Sequence, residues 1–171
     1  GDYLKALDSA IEIKAADKFT VPRISQLTQK TNQFNMTTRR YTEAEIIQFA
    51  ESSSSYVFSV SSKDRFGDNG IVGVIILKME GQEAVIDTFL LSCRVIGRTI
   101  EQSIIAFVAE FAKKHGVKTL VGEFQPTPKN KPAADVYEKM NFEKINENKF
   151  FADLDKRQLE YSPYVKHQIL I

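Results

Sequence analysis

Tyr56, Phe58 and Val60 are each separated by one residue, and this period of two predicts a strand. The turn signal Asp68-Asn69-Gly70 follows, so the apolar run over 71–79 is expected to return as its hairpin partner. Gly81-Gln82 marks a second turn before a third strand over 84–91. At Gly97 the period changes. Ile100, Ile104, Phe107, Val108 and Phe111 share one face at helical spacing. Lys113, Lys114 and His115 fall in the last turn, where cations suit the helix dipole, and Gly116 suits the cap.

Upstream, residues 3–7 read as a helical turn, and Ile11 and Ile13 alternate with polar neighbours in a strand over 10–13. Thr20 can cap a helix with Pro22 in its first turn, ending near Asn32. Thr42 with Glu45 is a capping-box signature for a second helix, and the serines over 52–55 read as a loop. Downstream, a strand is expected over 119–124, then a short helix from Pro132 to Met140 with Asn141 as its left-handed cap. Two short strands over 142–145 and 149–154 follow, and Val165, Ile169 and Leu170 fit an edge strand. This order, without a composition break or linker, predicts one α/β (α+β) domain with a mixed sheet of about seven strands flanked by helices.

Hydrophobic residues make up 43% and charged ones 26%, which excludes a disordered or low-complexity chain. Lys and Arg number 23 against 22 Asp and Glu, and this near-neutral balance argues against a dedicated nucleic-acid partner. No apolar run reaches the length of a membrane span, so a cytoplasmic protein is expected. The single Cys93 excludes an internal disulfide, and with only two histidines beside it no metal centre is expected.

Two segments carry candidate chemistry. In Cys93-Arg94-Val95-Ile96-Gly97-Arg98-Thr99, a glycine at a strand-to-helix junction lets backbone approach a ligand. The unpaired N–H groups of the first helical turn, with Arg94 and Arg98, suit a pyrophosphate. In the second, spanning 130–142, Tyr137 is a phenolic proton donor if it faces a cleft, or a packing residue if it does not.

Together, the Arg-x-x-Gly-x-small loop before a long helix and the later Asn…Tyr-Glu-Lys-x-x-Phe segment resemble motifs A and B of the GCN5-related N-acetyltransferase (GNAT) superfamily. Arg94 and Gly97 match its pyrophosphate loop, while Thr99 replaces the usual glycine or alanine and Asn141 a usual glycine. The segments over 31–42, 64–70 and 91–98 are similar to the GNAT-like part of FkbH-like proteins, which join a haloacid-dehalogenase (HAD) type domain to it. The chain is thus expected to be a piece of a longer protein whose HAD-type domain is one partner.

The resemblance implies a cleft that binds coenzyme A or phosphopantetheine on an acyl carrier protein, with a small-molecule acyl substrate. Its better understood members take glycerate from 1,3-bisphosphoglycerate and hold it as a thioester. Donor-binding candidates are then Leu91, Ser92, Cys93, Arg94, Val95, Ile96, Gly97, Arg98, Thr99 and Asn130. Cys93 is the candidate acyl acceptor, because two arginines and a helix N-terminus favour a nucleophilic thiolate. A regular strand would aim Asp87 and Cys93 to one face. Asn32, Gln33, Asn35, Arg39 and Arg40 lie where a GNAT domain shapes its acceptor site, and their amides and guanidinium groups suit a polar acyl chain. The alternatives are an amine N-acetyltransferase using acetyl coenzyme A, with Asp87 or Glu123 as base, and a non-catalytic carrier-docking module.

Overall fold

The computed structural model describes all 171 residues. In chain order the elements are α1 (Asp2–Leu7), β1 (Ser9–Ala15), α2 (Val21–Lys30), β2 (Phe34–Asn35) and α3 (Glu43–Glu51). Then come β3 (Ser55–Asp64), β4 (Gly67–Glu80), β5 (Glu83–Leu91), α4 (Ile100–Lys114) and β6 (Thr119–Glu123). The last are α5 (Val136–Lys139), β7 (Glu143–Asn146), β8 (Lys149–Asp153) and β9 (Val165–Leu170). Single 3-10 turns occupy Cys93–Val95 and Lys131–Ala133.

One mixed sheet runs β7-β8-β6-β5-β4-β3-β1-β9, with β2 paired to β5 off that path. Its central strand β4 sends alternate side chains to opposite faces, as a doubly covered strand must. Val74 and Ile76 pack against Val21, Ile24, Leu27 and Ile46 of α2 and α3. Ile75 and Leu77 join the larger core on the α4 side, with Phe58, Ile104, Phe107 and Phe111. The apolar face foreseen for α4 is the one it buries. The helix caps follow local chemistry: Thr42 and Glu45 form the reciprocal capping box, Gly116 takes φ 79° and Asn141 φ 61°.

The nine strands are close to the number expected, and the additions are the tail strand β9 and the short β2, which falls in a stretch read as polar loop. Several local expectations need correction. The β3–β4 turn lies at Arg65-Phe66, because the Asp64 carboxylate accepts the Phe66 N–H at 2.8 Å and closes the chain there. Asp68, Asn69 and Gly70 instead lie inside β4, beside an irregularity in its pairing with β3. Thr20 stands at the head of α2 without capping it; its hydroxyl accepts from the Asp17 N–H at 2.9 Å. A 3-10 turn intervenes before α4, which starts at Ile100 rather than Gly97. The tail does form a strand, β9, parallel to β1.

Candidate functional site

Strands β5 and β6 pair in parallel only from Glu83–Thr119 to Ile86–Gly122, and beyond that point they part. On its other edge β5 carries a bulge: Leu77 opposes Ile86 and Ile76 opposes Thr88, which leaves Asp87 between them unpaired. The extra residue reverses the strand's alternation, so Phe89 and Leu91 face the α4 side as Ala84 and Ile86 do. Cys93 lies beyond the strand in a 3-10 turn, so Asp87 and Cys93 share no regular strand face.

At the bulge the Asp87 side chain is 4% exposed and meets Arg39 Nη1 at 2.8 Å and Lys78 Nζ at 3.2 Å. The Tyr41 hydroxyl donates to its other oxygen at 2.7 Å and the Thr88 hydroxyl at 2.9 Å. Burial alone would raise the Asp87 carboxyl, but these hydroxyls and cations outweigh it and hold it below the usual carboxylate range. Arg39 Nη1 also reaches Glu123 Oε1 at 3.1 Å. One guanidinium therefore ties together carboxylates on the two diverging strands. Asp87 is ionised and saturated with donors.

The gap past the branch point is filled by the chain itself. In β2, Phe34 opposes Leu91 and Asn35 opposes Leu90 in antiparallel register. The Met36 N–H donates to the Phe89 carbonyl at 3.0 Å, and the Gln125 N–H to the Met36 carbonyl at 2.8 Å. Phe34, Asn35 and Met36 are buried, and the Thr37 hydroxyl donates to the Asp87 carbonyl at 2.8 Å. Asn130, expected near a donor, uses its amide nitrogen on the carbonyls of Asn35 and Gln125, both at 2.9 Å. The expected acceptor-site groups are likewise committed internally. Arg40 donates to the carbonyls of Thr28 and Thr31 and to Asn32 Oδ1, while Asn35 bonds the Thr31 carbonyl and the Thr38 N–H. Gln33 alone of that set is exposed.

Beyond β5, Ser92 accepts the Arg94 N–H at 3.4 Å, and Cys93 and Arg94 are exposed. Gly97 and Thr99 adopt left-handed backbone, φ 84° and 63°, which turns the chain into α4. The N–H groups of Gly97, Arg98, Thr99 and Ile100 meet no acceptor in the chain. Gly97 and Thr99 border a cavity of about 720 Å³, lined also by Phe34, Glu101, Val136 and Arg157. Arg98 points away, in an ion pair with the buried Asp64 carboxylate. The Phe66 N–H, Asn69 and Arg98 hold that carboxyl below its ordinary range. The Thr99 hydroxyl bonds the Arg98 carbonyl and Ser162 Oγ, both at 2.6 Å. Glu101 Oε2 is buried without a partner, and burial raises its carboxyl. Val95 is buried in the core and Ile96 is half-buried at the cavity wall.

A family model described as the acetyltransferase (GNAT) family matches residues 21–142, most of the chain. The chain belongs to the GNAT acetyltransferase family. It is accordingly a transferase by family, and its mixed sheet between helices is the GNAT fold. No curated protein matches the sequence significantly. Among solved structures it is similar to the ribosomal-protein-S18-alanine N-acetyltransferase of Escherichia coli, at TM-score 0.62 and 14% identity over 82% of this chain and 90% of that one. It is similar to a Vibrio cholerae spermidine N-acetyltransferase in complex with CoA and spermine, at TM-score 0.63 and 12% identity over 85% and 96%. The GNAT domain of S. lividans PAT matches at TM-score 0.62 and 11% identity over 82% and 89%.

Within this GNAT domain Tyr137 is buried at 2% exposure rather than open to a cleft. Its ring lies so close to Gly122 that a Cβ there would sit 2.5 Å from the ring carbon Cζ. Its hydroxyl has no partner, and burial pushes it well above the ordinary tyrosine range. A CoA-type donor fits the two ends of the site differently. The free amides of Gly97–Ile100 suit its phosphates, whereas the gap between β5 and β6 is closed to its extended arm by β2. No helix is long and apolar enough to cross a membrane.

The sequence offered no direct pointer to Lys78, Glu101 or Gly122. The one available signal for β2 was Phe34 and Met36 flanking Asn35 with a period of two.

Proposed function

We propose that this GNAT domain moves a small acyl group to or from the thiol of a pantetheine arm, carried by coenzyme A or by an acyl carrier protein. The run of unbonded amides at Gly97–Ile100, whose Gly97 and Thr99 line the cavity at the head of α4, carries this reading. Amides without acceptors at a helix N-terminus suit a phosphate oxygen, and the local dipole favours the same sign of charge.

In this reading Cys93, exposed at the mouth of that loop, is the acyl acceptor. Its thiolate attacks the thioester carbonyl, a new C–S bond forms, the bond to the pantetheine sulfur breaks, and that sulfur takes a proton. The proton that the Cys93 thiol releases is the one this sulfur takes up, through solvent, because Tyr137 is packed in the core and faces no cleft. Run in reverse, the same exchange loads a carrier thiol. The resemblance to FkbH-like proteins makes glyceryl, drawn from 1,3-bisphosphoglycerate with a HAD-type partner domain, the acyl group to try first.

Intact-mass spectrometry after incubation with acyl-thioester donors tests this. A hydroxylamine-labile adduct that disappears in Cys93→Ser is the expected result. Acylation that persists in Cys93→Ser removes the thiol from the scheme. Acetylation of an added amine by acetyl coenzyme A, with no adduct, points instead to amine N-acetyl transfer. The gap filled by β2 favours a second reading, a domain that docks a carrier without turnover, and binding without any acyl transfer supports it.

A further inference from the structure

We propose that residues 34–39 form an internal strap that closes the gap between β5 and β6 at rest and swings out when the donor arm is admitted. The inference rests on the transfer reading above, because it concerns how that site is loaded. Three observations meet at the strap. Its strand is only two residues long, yet it occupies the outer edge of β5 where that strand has left β6. Its hydrogen bonds reach both walls: Met36 gives its N–H to Phe89 on one side and accepts the Gln125 N–H on the other. Its fastenings come from separate elements, namely Asn130 on the Asn35 carbonyl, Thr37 on the Asp87 carbonyl, and Arg39 across Asp87 and Glu123.

An extended arm that carries amides would use the same β5 edge, so strap and arm exclude one another. The strap also ends in a conformation that costs something to hold. Thr38 has φ 56°, in the left-handed region unfavourable to a β-branched residue, and its hydroxyl is buried without a partner. Swinging out relieves both, while it uncovers Phe34 and Met36. If the closed form dominates, donor affinity is reduced in proportion to the fraction that is open. Loosening the strap therefore tightens donor binding, the opposite of what loss of a donor-contacting residue does.

Asn130→Ala cuts the ties to Asn35 and Gln125 without altering Cys93 or the amides of Gly97–Ile100. Thr37→Val, which removes one hydroxyl and keeps the side-chain shape, is the milder companion. Amide hydrogen exchange by NMR on the whole chain reads the strap directly. The Met36 and Gln125 amides are expected to exchange faster than the Ile76 amide of central β4 in the native protein. In Asn130→Ala they should exchange about tenfold faster again, with Ile76 unchanged. Exchange of all three amides at one common rate in every variant means that the strap opens only with global unfolding, and overturns the proposal. In parallel, coenzyme A is titrated into native and variant protein. Binding about tenfold tighter in Asn130→Ala, and less so in Thr37→Val, supports the strap as a competitor. Equal or weaker binding in both variants, with the strap amides exchanging freely, overturns it. Free local exchange with no binding of coenzyme A to any variant leaves the opening motion standing and counts against the transfer reading instead.

Discussion

Asp87 receives two hydroxyl donors and two cations within 3.2 Å while lying almost wholly out of solvent. Removing it leaves Tyr41 and Thr88 without their acceptor and a guanidinium facing Glu123 alone. Asp87→Ala is expected to cost about 3 kcal/mol in chemical denaturation, as loss of one member of a buried ionic group does. The pH dependence has a definite sign. The folded carboxyl is held below its unfolded value, so the unfolded chain takes up the proton first as pH falls. This contribution is complete above about pH 5 and is lost as pH falls below about 4, through the folded pKa. A denaturation series from pH 7 to pH 3 should show the native protein losing stability that Asp87→Ala lacks throughout. Gly122 makes a second residue-scale case. A methyl group there meets the Tyr137 ring at 2.5 Å, so Gly122→Ala is expected to cost about 1–3 kcal/mol and lower the melting temperature.

Elements whose cause is local were legible in the sequence. Thr42 and Glu45 form the reciprocal cap that their spacing foretold, and Thr42→Ala is expected to cost about 1 kcal/mol of stability in thermal or chemical melts. Gly116 and Asn141 stop their helices with positive φ, as their residue types suit. Elements whose cause is distant were not legible. A two-residue strand such as β2 carries almost no pattern of its own; it exists because β5 presents an unpaired edge after β6 has diverged. The bulge at Asp87 is equally hidden, since it is a mismatch of register between β4 and β5. That mismatch, together with the strand ending at Leu91 before Cys93, is why counting residues from Asp87 to Cys93 misjudged their faces. The Asp68-Asn69-Gly70 signal lost to a nearer one: the Asp64 carboxylate closes the turn three residues earlier and also anchors Arg98. Arg98, expected at a phosphate, therefore positions the loop beside it.

For the molecule as a whole, the order of elements gave a mixed α/β domain, the segments at 93–99 and 130–142 carried the resemblance to GNAT proteins, and the family match over 21–142 places the chain in that family. Of the proposed site, the turn at Gly97 was legible because glycine before a helix has a local reason. The commitments of Asn35, Arg39, Arg40 and Asn130 to their own chain were not, because they depend on contacts far apart in sequence. The outcome is a transferase-family domain whose proposed donor site has unbonded amides at one end and its own strand β2 across the other. Titration of the isotope-labelled chain with coenzyme A, followed through backbone amide shifts, tests this most directly. Saturable shifts at Gly97, Arg98, Thr99 and Ile100 are predicted, accompanied by shifts at Met36 and Gln125 as the strap yields. Saturable binding that leaves those four amides unmoved and perturbs residues elsewhere contradicts the assignment of the head of α4 as the phosphate seat.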